Sequence, residues 1–501
     1  MTLKLNFIFK HRWLLLIALL SFLLKLKFVL QGSVVNSDAA LYIAAAERFS
    51  HGLFSEGLQF YRMPFYPLLL AATHAIISDW IVAGWILTVV PLWLTLIPLY
   101  LLSRRLYSQH GALWTILLYS VIPIFNTSST DIKRDPLFLF FTVSAVLFMV
   151  VFYQKHRFRD MLYFSLLVVL ATLTRIEGVL IPIVFLMTSP FYVYRRGGLK
   201  VVYCIVIGFI ALPLTFILIL WLFETMGGST SSRLHEVFTW GKNLINLKLF
   251  IGYQKLMVSL REFQDTLPRA NLQNNLIEIT RHYAPLIYVV GLVEMMVKGI
   301  FPTSLLGLYG LRWRNRENNT REFPLIFVMW FAFILLNLIF NLSHDFIAER
   351  YLWIPMVLTL PWVGEGLNLW WQRYEAKKLL AYSVLIIVIF SPLSKTFAVM
   401  ARSGETAVID AGQWLKQYDA QQQLSVIFND RRLPLYSDRF SDVNKIYKLK
   451  AMLRYLKHNH KVSLVVLYLS NAKYPELSID GFELVEIFNG EEKAVLIFRR
   501  L

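Results

Sequence analysis

Charged side chains lie beside long apolar stretches in this sequence. Ionisable groups at membrane depth or at its rim are costly, so each is a candidate for function. The residues concerned are Asp38, Arg62, Lys133, Arg134, Asp135, Arg175, Glu177, His344, Asp345, Glu349 and Arg350. A carboxylate can deprotonate an acceptor as a general base, and arginine or lysine can hold a phosphate leaving group. With a lipid tail in an apolar groove, these residues suit transfer of a group from a lipid phosphate to an acceptor at the outer membrane face.

No glycine-rich nucleotide motif accompanies these residues. Neither Gly-x-x-x-x-Gly-Lys nor Gly-x-Gly-x-x-Gly occurs in the sequence. The predicted reaction needs no nucleotide, and the residue types by themselves do not identify a sugar.

The elements that must position these groups are membrane spans. Of 501 residues, 57% are hydrophobic and 16% are charged, and the mean hydropathy is +0.54. These values exclude an ordinary soluble enzyme and a disordered chain, and the single cysteine, Cys204, excludes a disulfide scaffold. A span needs roughly 20 apolar residues, and about eleven stretches qualify: 13–30, 82–103, 111–126, 136–153, 161–174, 178–194, 200–222, 284–310, 323–341, 351–371 and 379–397.

The excess of basic residues predicts the orientation. The net charge is +18. With a cytoplasmic N-terminus, the short outward loops hold Lys133, Arg134, Arg175 and Arg350. The inward segments hold many more, namely Lys4, Lys10, Arg12, Arg104, Arg105, Lys155, Arg157, Arg159, Arg195, Arg196, Lys200, Arg312, Arg314, Arg316, Arg321, Arg373, Lys377 and Lys378. Basic residues concentrate on the cytoplasmic side of membrane proteins, so the charge indicates topology and not binding of nucleic acid.

Two outward segments, 31–81 and 223–283, are too long to be turns. Both mix apolar and polar residues at helical spacing, which predicts interfacial amphipathic helices, with 38–49 and 64–77 as the candidates in the first segment. We expect Lys25 and Lys27, near the end of the first span, to extend to the interface.

The last hundred residues differ from the rest. Residues 402–501 are predicted to form a small non-cytoplasmic α/β domain after a membrane domain of residues 1–401. Its predicted helices are 405–418 and 445–457. Its predicted strands are 424–429, 463–469, 484–488 and 494–499, the last two joined through Asn489-Gly490.

Each candidate residue has a simpler interpretation. Asp38 can cap a helix, and Asp135-Pro136 can open one. Arg62, Lys133 and Arg134 can be rim charges near lipid headgroups. Arg175 and Glu177 can form a structural ion pair, and His344 and Asp345 can lie in a solvated loop.

Two other classes of protein compete with the enzyme hypothesis. A transporter or lipid flippase also needs buried charges, but it is expected to place them near the midplane. A structural membrane protein offers no reason for acidic and basic residues on several outward loops.

The same residues resemble a known family in their order along the chain. The matching features are Asp38 with Tyr42, Arg62 to Pro67, Asp135-Pro136, Thr174-Arg175, and Arg350-Tyr351 through Pro355. Over about residues 1–400 the chain resembles GT-C-fold membrane glycosyltransferases of family 39, the protein mannosyltransferase and aminoarabinose transferase type.

The resemblance implies roles for individual residues. Asp38 resembles the catalytic base, Arg62 the basic residue at the donor phosphate, and Asp135 a second acidic residue near the site. Arg350 resembles a late basic residue near the lipid phosphate, and Tyr42, Lys133, Arg134, Arg175 and Tyr351 complete the expected binding set. The implied donor is a polyprenyl-phosphate sugar and the implied reaction inverts the anomeric carbon.

One departure from the family leaves two points open. Asp38 stands alone where protein mannosyltransferases have an adjacent acidic pair. A divalent metal requirement therefore stays open, as does the acceptor, which could be a lipid, a glycan or a protein. We expect a bacterial inner membrane protein with no partner nucleic acid.

Overall fold

The structure is a computed structural model. It describes residues 2–31, 34–196, 202, 205, 206, 251–266, 272–307, 323–344, 348–398, 406–470 and 477–501. Several predictions fall outside these residues: most of the span at 200–222, parts of the outward segment 223–283, Asp345, the basic residues at 312–321, and the boundary between residues 401 and 402.

The described chain is mainly helical, as the sequence predicts. Its helices before residue 400 are α1 (Thr2–Leu30), α2 (Ser37–Ser50), α3 (Phe54–Phe60), α4 (Phe65–His74), α5 (Trp80–Leu94), α6 (Leu96–Leu106), α7 (Gln109–Val121), α8 (Pro123–Thr127), α9 (Asp135–Lys155), α10 (Phe158–Thr174), α11 (Leu180–Arg196), α12 (Ile251–Asp265), α13 (Leu272–Ile300), α14 (Phe323–His344), α15 (Trp353–Tyr374) and α16 (Lys378–Ala398). Short 3₁₀ turns at Ser128–Thr130, Ile176–Val179 and Glu349–Leu352 connect some of them.

Five described helices are long and apolar enough to cross a membrane: Arg12–Leu30, Trp80–Leu106, Asp135–Lys155, Pro324–His344 and Lys378–Ala398. Counting two bent helix pairs as one span each raises this number to seven. The predicted stretches at 161–174, 178–194 and 351–371 are also helical, in α10, α11 and α15. The total of about eleven stays a prediction.

Helix α9 is the centre of the bundle. Its most apolar window is 83% buried, against 22–44% for the other four candidate spans. Pro136 lies in its first turn, where a missing amide hydrogen costs nothing. Its first residue is Asp135, so the central helix places this carboxylate at one end of the bundle.

The buried position of Lys25 contradicts the expectation that it reaches the interface. Its side chain is fully buried. The ammonium donates to Ser21 Oγ and to Asn126 Oδ1, each at 3.1 Å. Because α7 and α8 meet at a 59° bend, the amide of Asn126 is turned toward α1 and provides a partner inside the bundle.

The C-terminal residues form the predicted α/β unit. Its elements are α17 (Ala407–Tyr418), β1 (Val426–Phe428), α18 (Arg432–Tyr436), α19 (Leu449–His458), β2 (Leu464–Ser470), β3 (Phe482–Asn489) and β4 (Lys493–Arg500). The sheet order is β1-β2-β4-β3. β1 runs parallel to β2, and β4 is antiparallel to both β2 and β3. The Asn489-Gly490 turn joins β3 to β4, as predicted.

This unit packs against the first outward segment. Leu435 and Val443 share a hydrophobic cluster with residues of α2 and α4. The Val35 amide donates to Tyr436 Oη at 3.1 Å, and Asn444 Nδ2 donates to the Gln59 carbonyl oxygen at 3.2 Å. The end of the chain therefore supports the backbone that leads into α2.

Candidate active site

Asp38 lies in the first turn of α2, where the amphipathic pattern predicts a helix. Its Oδ2 accepts a hydrogen bond of 2.9 Å from Arg350 Nη1. The side chains of Asp38 and Arg350 are 38% and 27% exposed, so the pair is reachable from solvent. Burial alone would lower the pKa of Arg350, but the carboxylates of Asp135 and Asp38 outweigh it and raise the pKa, which keeps the guanidinium charged.

A second ion pair lies deeper. Arg175, at the C-terminal end of α10, donates to Asp135 and to Glu177, and the Asp135 and Arg175 side chains are only 5% and 6% exposed. Burial opposes ionisation of Glu177, but Arg175 outweighs it and holds the pKa of Glu177 below its usual range. The predicted Arg175–Glu177 pair thus exists, and it also includes Asp135.

Tyr351 joins the two pairs. Its ring lies 4.9 Å from the guanidinium carbon of Arg175 and 5.6 Å from that of Arg350. Cations over an aromatic face are stabilised by the ring quadrupole. The predicted residues Asp38, Asp135, Arg175, Arg350 and Tyr351 are therefore brought together from four separate parts of the chain.

A narrow cavity of about 30 Å³ opens between these groups. One part of its wall is charged and the other is apolar. Its lining consists of Asp135, Arg175, Glu177, Arg350, Tyr351 and Asn337 with Phe138, Leu139, Phe333, Leu336, Trp353 and Ile354. The cavity has room for water but not for a sugar phosphate, so a ligand of that size must displace a lining group. Arg350 is suited to move because it is partly exposed.

Two donors that line this cavity lack partners in the described chain. Arg350 Nε and Trp353 Nε1 are buried and make no hydrogen bond. Buried N–H groups are normally paired, and an unpaired one is costly. Both point to an acceptor-rich ligand such as a phosphate. Trp353 was not predicted, because a tryptophan near a membrane rim is ordinarily an interfacial anchor.

The other predicted binding residues lie around this centre. Lys133 is paired with Asp131 at 2.7 Å. Arg134 contacts Met63 Sδ at 2.8 Å and lies over the Tyr61 ring, and among the described residues no carboxylate lies within ion-pair distance of it. Tyr42 is buried, its ring is 4.7 Å from that of Tyr61, and burial raises the pKa of its hydroxyl.

Arg62 and His344 lie nearer the solvent. Arg62 is exposed between α3 and α4. His344 is exposed, but it is the last residue of α14 and its ring stacks on Phe340, so it lies on a helix and not in the solvated loop of the simpler interpretation.

The carboxylates of this site do not suit a divalent cation. Within the described ranges, no three His, Cys, Asp or Glu side chains are close enough to hold a metal ion. Mg²⁺ and Ca²⁺ prefer carboxylate and carbonyl oxygens, but here Asp38 and Asp135 each bind an arginine. The described residues thus offer no set of metal ligands, and the requirement for a metal stays open.

Comparison with known proteins shows that a family model matches part of the sequence and that solved structures resemble the fold. Residues 62–221 match the family model described as dolichyl-phosphate-mannose-protein mannosyltransferase. No curated protein matches the chain. Among solved structures, the Archaeoglobus fulgidus oligosaccharyltransferase tethered with an acceptor peptide superposes with a TM-score of 0.60 at 13% identity, covering 92% of this chain and 69% of that one.

The chain has a GT-C-like fold. The resemblance to GT-C membrane glycosyltransferases is thereby confirmed, and the chain is a multi-pass membrane protein. AglB from the same organism, in complex with an inhibitory peptide and a dolichol-phosphate, gives a TM-score of 0.52 at 13% identity, with 92% and 70% of the two chains covered. ArnT from Cupriavidus metallidurans bound to undecaprenyl phosphate gives a TM-score of 0.42 at 12% identity, covering 97% of this chain and 98% of that one.

Proposed function

We propose that this GT-C-like protein transfers a sugar from a polyprenyl-phosphate donor to an acceptor at the outer membrane face. The observation that carries the proposal is the cavity lined by Arg175 and by Arg350, the partner of Asp38, which combines arginine donors with an apolar wall. A lipid phosphate has the same two parts, an anion and a hydrocarbon chain. The family match over 62–221 and the dolichol-phosphate bound by AglB support this donor class.

The paired charges lie at one end of the helix bundle, which we place at the outer rim of the membrane. Asp135 begins α9 and Arg175 follows the end of α10, and these consecutive helices run in opposite directions, so both residues lie at the same end of the bundle. Asp38 and Arg350 lie at the starts of α2 and of the turn before α15. A transporter is expected to bind its substrate near the midplane, so this rim placement favours the transferase.

In the proposed reaction, Asp38 accepts the proton of the acceptor hydroxyl or amine. The acceptor forms a bond to the anomeric carbon from the face opposite the phosphate, which inverts that carbon. The bond from the anomeric carbon to the phosphate oxygen breaks, and its electron pair stays on the phosphate. Arg350 and Arg175 stabilise the growing negative charge, and a lipid phosphate leaves without needing a proton.

Asp135 has a positioning role in this proposal. Because its carboxylate is buried against Arg175, it is a poor candidate for taking a proton from an incoming acceptor. It holds the Arg175 guanidinium beside the cavity instead. Arg134 and its neighbour Lys133 supply further positive charge for the anionic donor. The exposed Arg62 adds to that charge at the rim.

The orientation forms part of the proposal. We place the N-terminus in the cytoplasm of a bacterial cell, the protein in the inner membrane and the C-terminal unit outside. The contact of Val35 with Tyr436 supports one side for the first outward segment and the C-terminal unit. Reporter fusions after Leu501 and within 312–322 test this topology, and a cytoplasmic C-terminus would contradict it.

The class of activity is tested with purified protein in vesicles. Radiolabelled polyprenyl-phosphate sugars are supplied with membrane lipids, glycans and peptides as acceptors, and the product anomer is determined. We expect sugar transfer with inversion. Movement of intact donor across the vesicle membrane without transfer would establish the flippase alternative instead.

A further inference from the structure

We infer that Asn36 recognises the transferred sugar by hydrogen bonds from its side-chain amide. Asn36 is the N-cap residue of α2, two positions before Asp38, and its side chain makes no capping bond. The residue is only 7% exposed. Its Oδ1 and Nδ2 are both buried and have no hydrogen-bond partner among the described residues. A buried amide with neither group satisfied is costly, so a ligand that supplies both a donor and an acceptor accounts for it.

The backbone around Asn36 is fixed on both sides. The Val35 amide is held by Tyr436 Oη at 3.1 Å. The Asn36 carbonyl oxygen accepts from the Ala39 amide at 3.0 Å, which starts the helix that carries Asp38. Val34 and Val35 are buried at 1% and 0% exposure. The backbone that carries the amide therefore has a set position relative to the proposed base.

The chemistry of the amide favours a sugar over the other parts of the reaction. This inference rests on the proposed function. An asparagine side chain offers two donors and a carbonyl acceptor without charge, which matches ring hydroxyls, whereas the phosphate is matched by Arg350 and Arg175. An acceptor molecule must arrive from the exposed side, where Asp38 is 38% accessible. Asn36 is buried and lies two residues before Asp38, so it suits the donor sugar and not an acceptor that arrives from solvent.

The test compares two binding constants for each variant. Dolichyl phosphate and a set of dolichyl-phosphate sugars, including the mannose form, are titrated into the full-length protein in nanodiscs. In the wild type we expect at least one sugar to tighten binding about tenfold over dolichyl phosphate alone, the scale of one or two hydrogen bonds. In Asn36→Leu and Asn36→Ala this sugar-dependent gain is lost, while dolichyl phosphate binds as in the wild type.

Binding of dolichyl phosphate shows that each variant has folded. Ser37→Ala, an exposed neighbour, serves as the matched control and keeps the gain. A full sugar-dependent gain in either Asn36 variant would overturn the inference, as would a wild type to which no sugar adds affinity. Failure of both dolichyl phosphate and undecaprenyl phosphate to bind the wild type would instead overturn the proposed function.

Discussion

Arg350 Nη1 lies 2.9 Å from Asp38 Oδ2, although the two residues are 312 positions apart. One arginine thus contacts the proposed base and lines the cavity proposed for the phosphate. When a donor binds, the guanidinium can turn its unpartnered Nε toward the phosphate. In the proposed reaction, binding of the donor would thus free the carboxylate that takes the proton.

Replacing Arg350 by glutamine should slow transfer strongly. Loss of one preorganised donor to a developing oxyanion costs about 10²–10³-fold in turnover. Arg350→Lys keeps the charge but lacks Nε and the planar fork, so it should recover only part of the rate. The measurement is turnover of polyprenyl-phosphate sugar, with the exposed Arg454→Gln as the control. Wild-type turnover in Arg350→Gln would show that this contact has no catalytic part.

Acid should lower the stability of the folded protein by protonating Glu177, the partner of Arg175. Its pKa in the folded protein is below its usual range, so the unfolded chain binds the proton more readily. The stabilisation is complete above the unfolded value of about 4.3 and is lost as the pH falls through the folded value. We expect thermal unfolding in detergent, followed from about pH 7 to pH 3, to show this loss in the wild type.

Glu177→Gln should flatten that dependence on acid. The exposed Glu56 carries the same charge in the first outward segment, so Glu56→Gln should keep the wild-type curve. Identical curves for the wild type and Glu177→Gln would mean that the ion pair with Arg175 adds nothing to stability.

Tyr436→Phe should loosen the start of α2. The change removes the acceptor of the buried Val35 amide, and an unsatisfied buried amide costs about 1–3 kcal/mol. Hydrogen exchange of amides in 34–50 should accelerate, while exchange in the C-terminal sheet stays unchanged. Tyr455→Phe, in the same unit, is the control. Unchanged hydrogen exchange in 34–50 would show that the C-terminal unit does not stabilise the start of α2.

Lys25 and Asn126 should be coupled energetically. Asn126→Leu leaves the buried ammonium with one fewer partner, and a hydrogen bond to a charged group contributes about 1.5–3 kcal/mol. Lys25→Met removes the charge itself, so the double variant should be more stable than Asn126→Leu alone. Thermal unfolding of the four proteins forms a double-mutant cycle, and additive effects would argue against the contact.

Periodicity predicted most of the fold. The amphipathic pattern gave α2 at Ser37–Ser50 and α4 at Phe65–His74, and alternation with Asn489-Gly490 gave the β3–β4 hairpin. Bends were harder to foresee. The stretch predicted at 111–126 is two helices, because Ile122 before Pro123 is extended, as a residue before proline tends to be.

The site was predictable in residue type, but Arg175–Glu177 is the one pairing that the sequence predicted. Asp38, Asp135, Arg175 and Arg350 stand out as charges beside spans, yet nothing local indicates which arginine binds which carboxylate. Lys25 was misjudged for the same reason, since Asn126 lies 101 positions away. Sequence reasoning missed Asn36 and Trp353. Both stand out because they bury polar atoms without a hydrogen-bond partner among the described residues, and only three-dimensional packing shows this.

The proposed reaction depends most on Asp38 as the base. The direct measurement is single-turnover transfer from a saturating polyprenyl-phosphate sugar by the wild type, Asp38→Asn and the control Glu56→Gln. General-base catalysis contributes about 10²–10⁴-fold, so Asp38→Asn should lose that much rate while still binding polyprenyl phosphate, and Glu56→Gln should match the wild type. Transfer by Asp38→Asn at the wild-type rate would contradict the account.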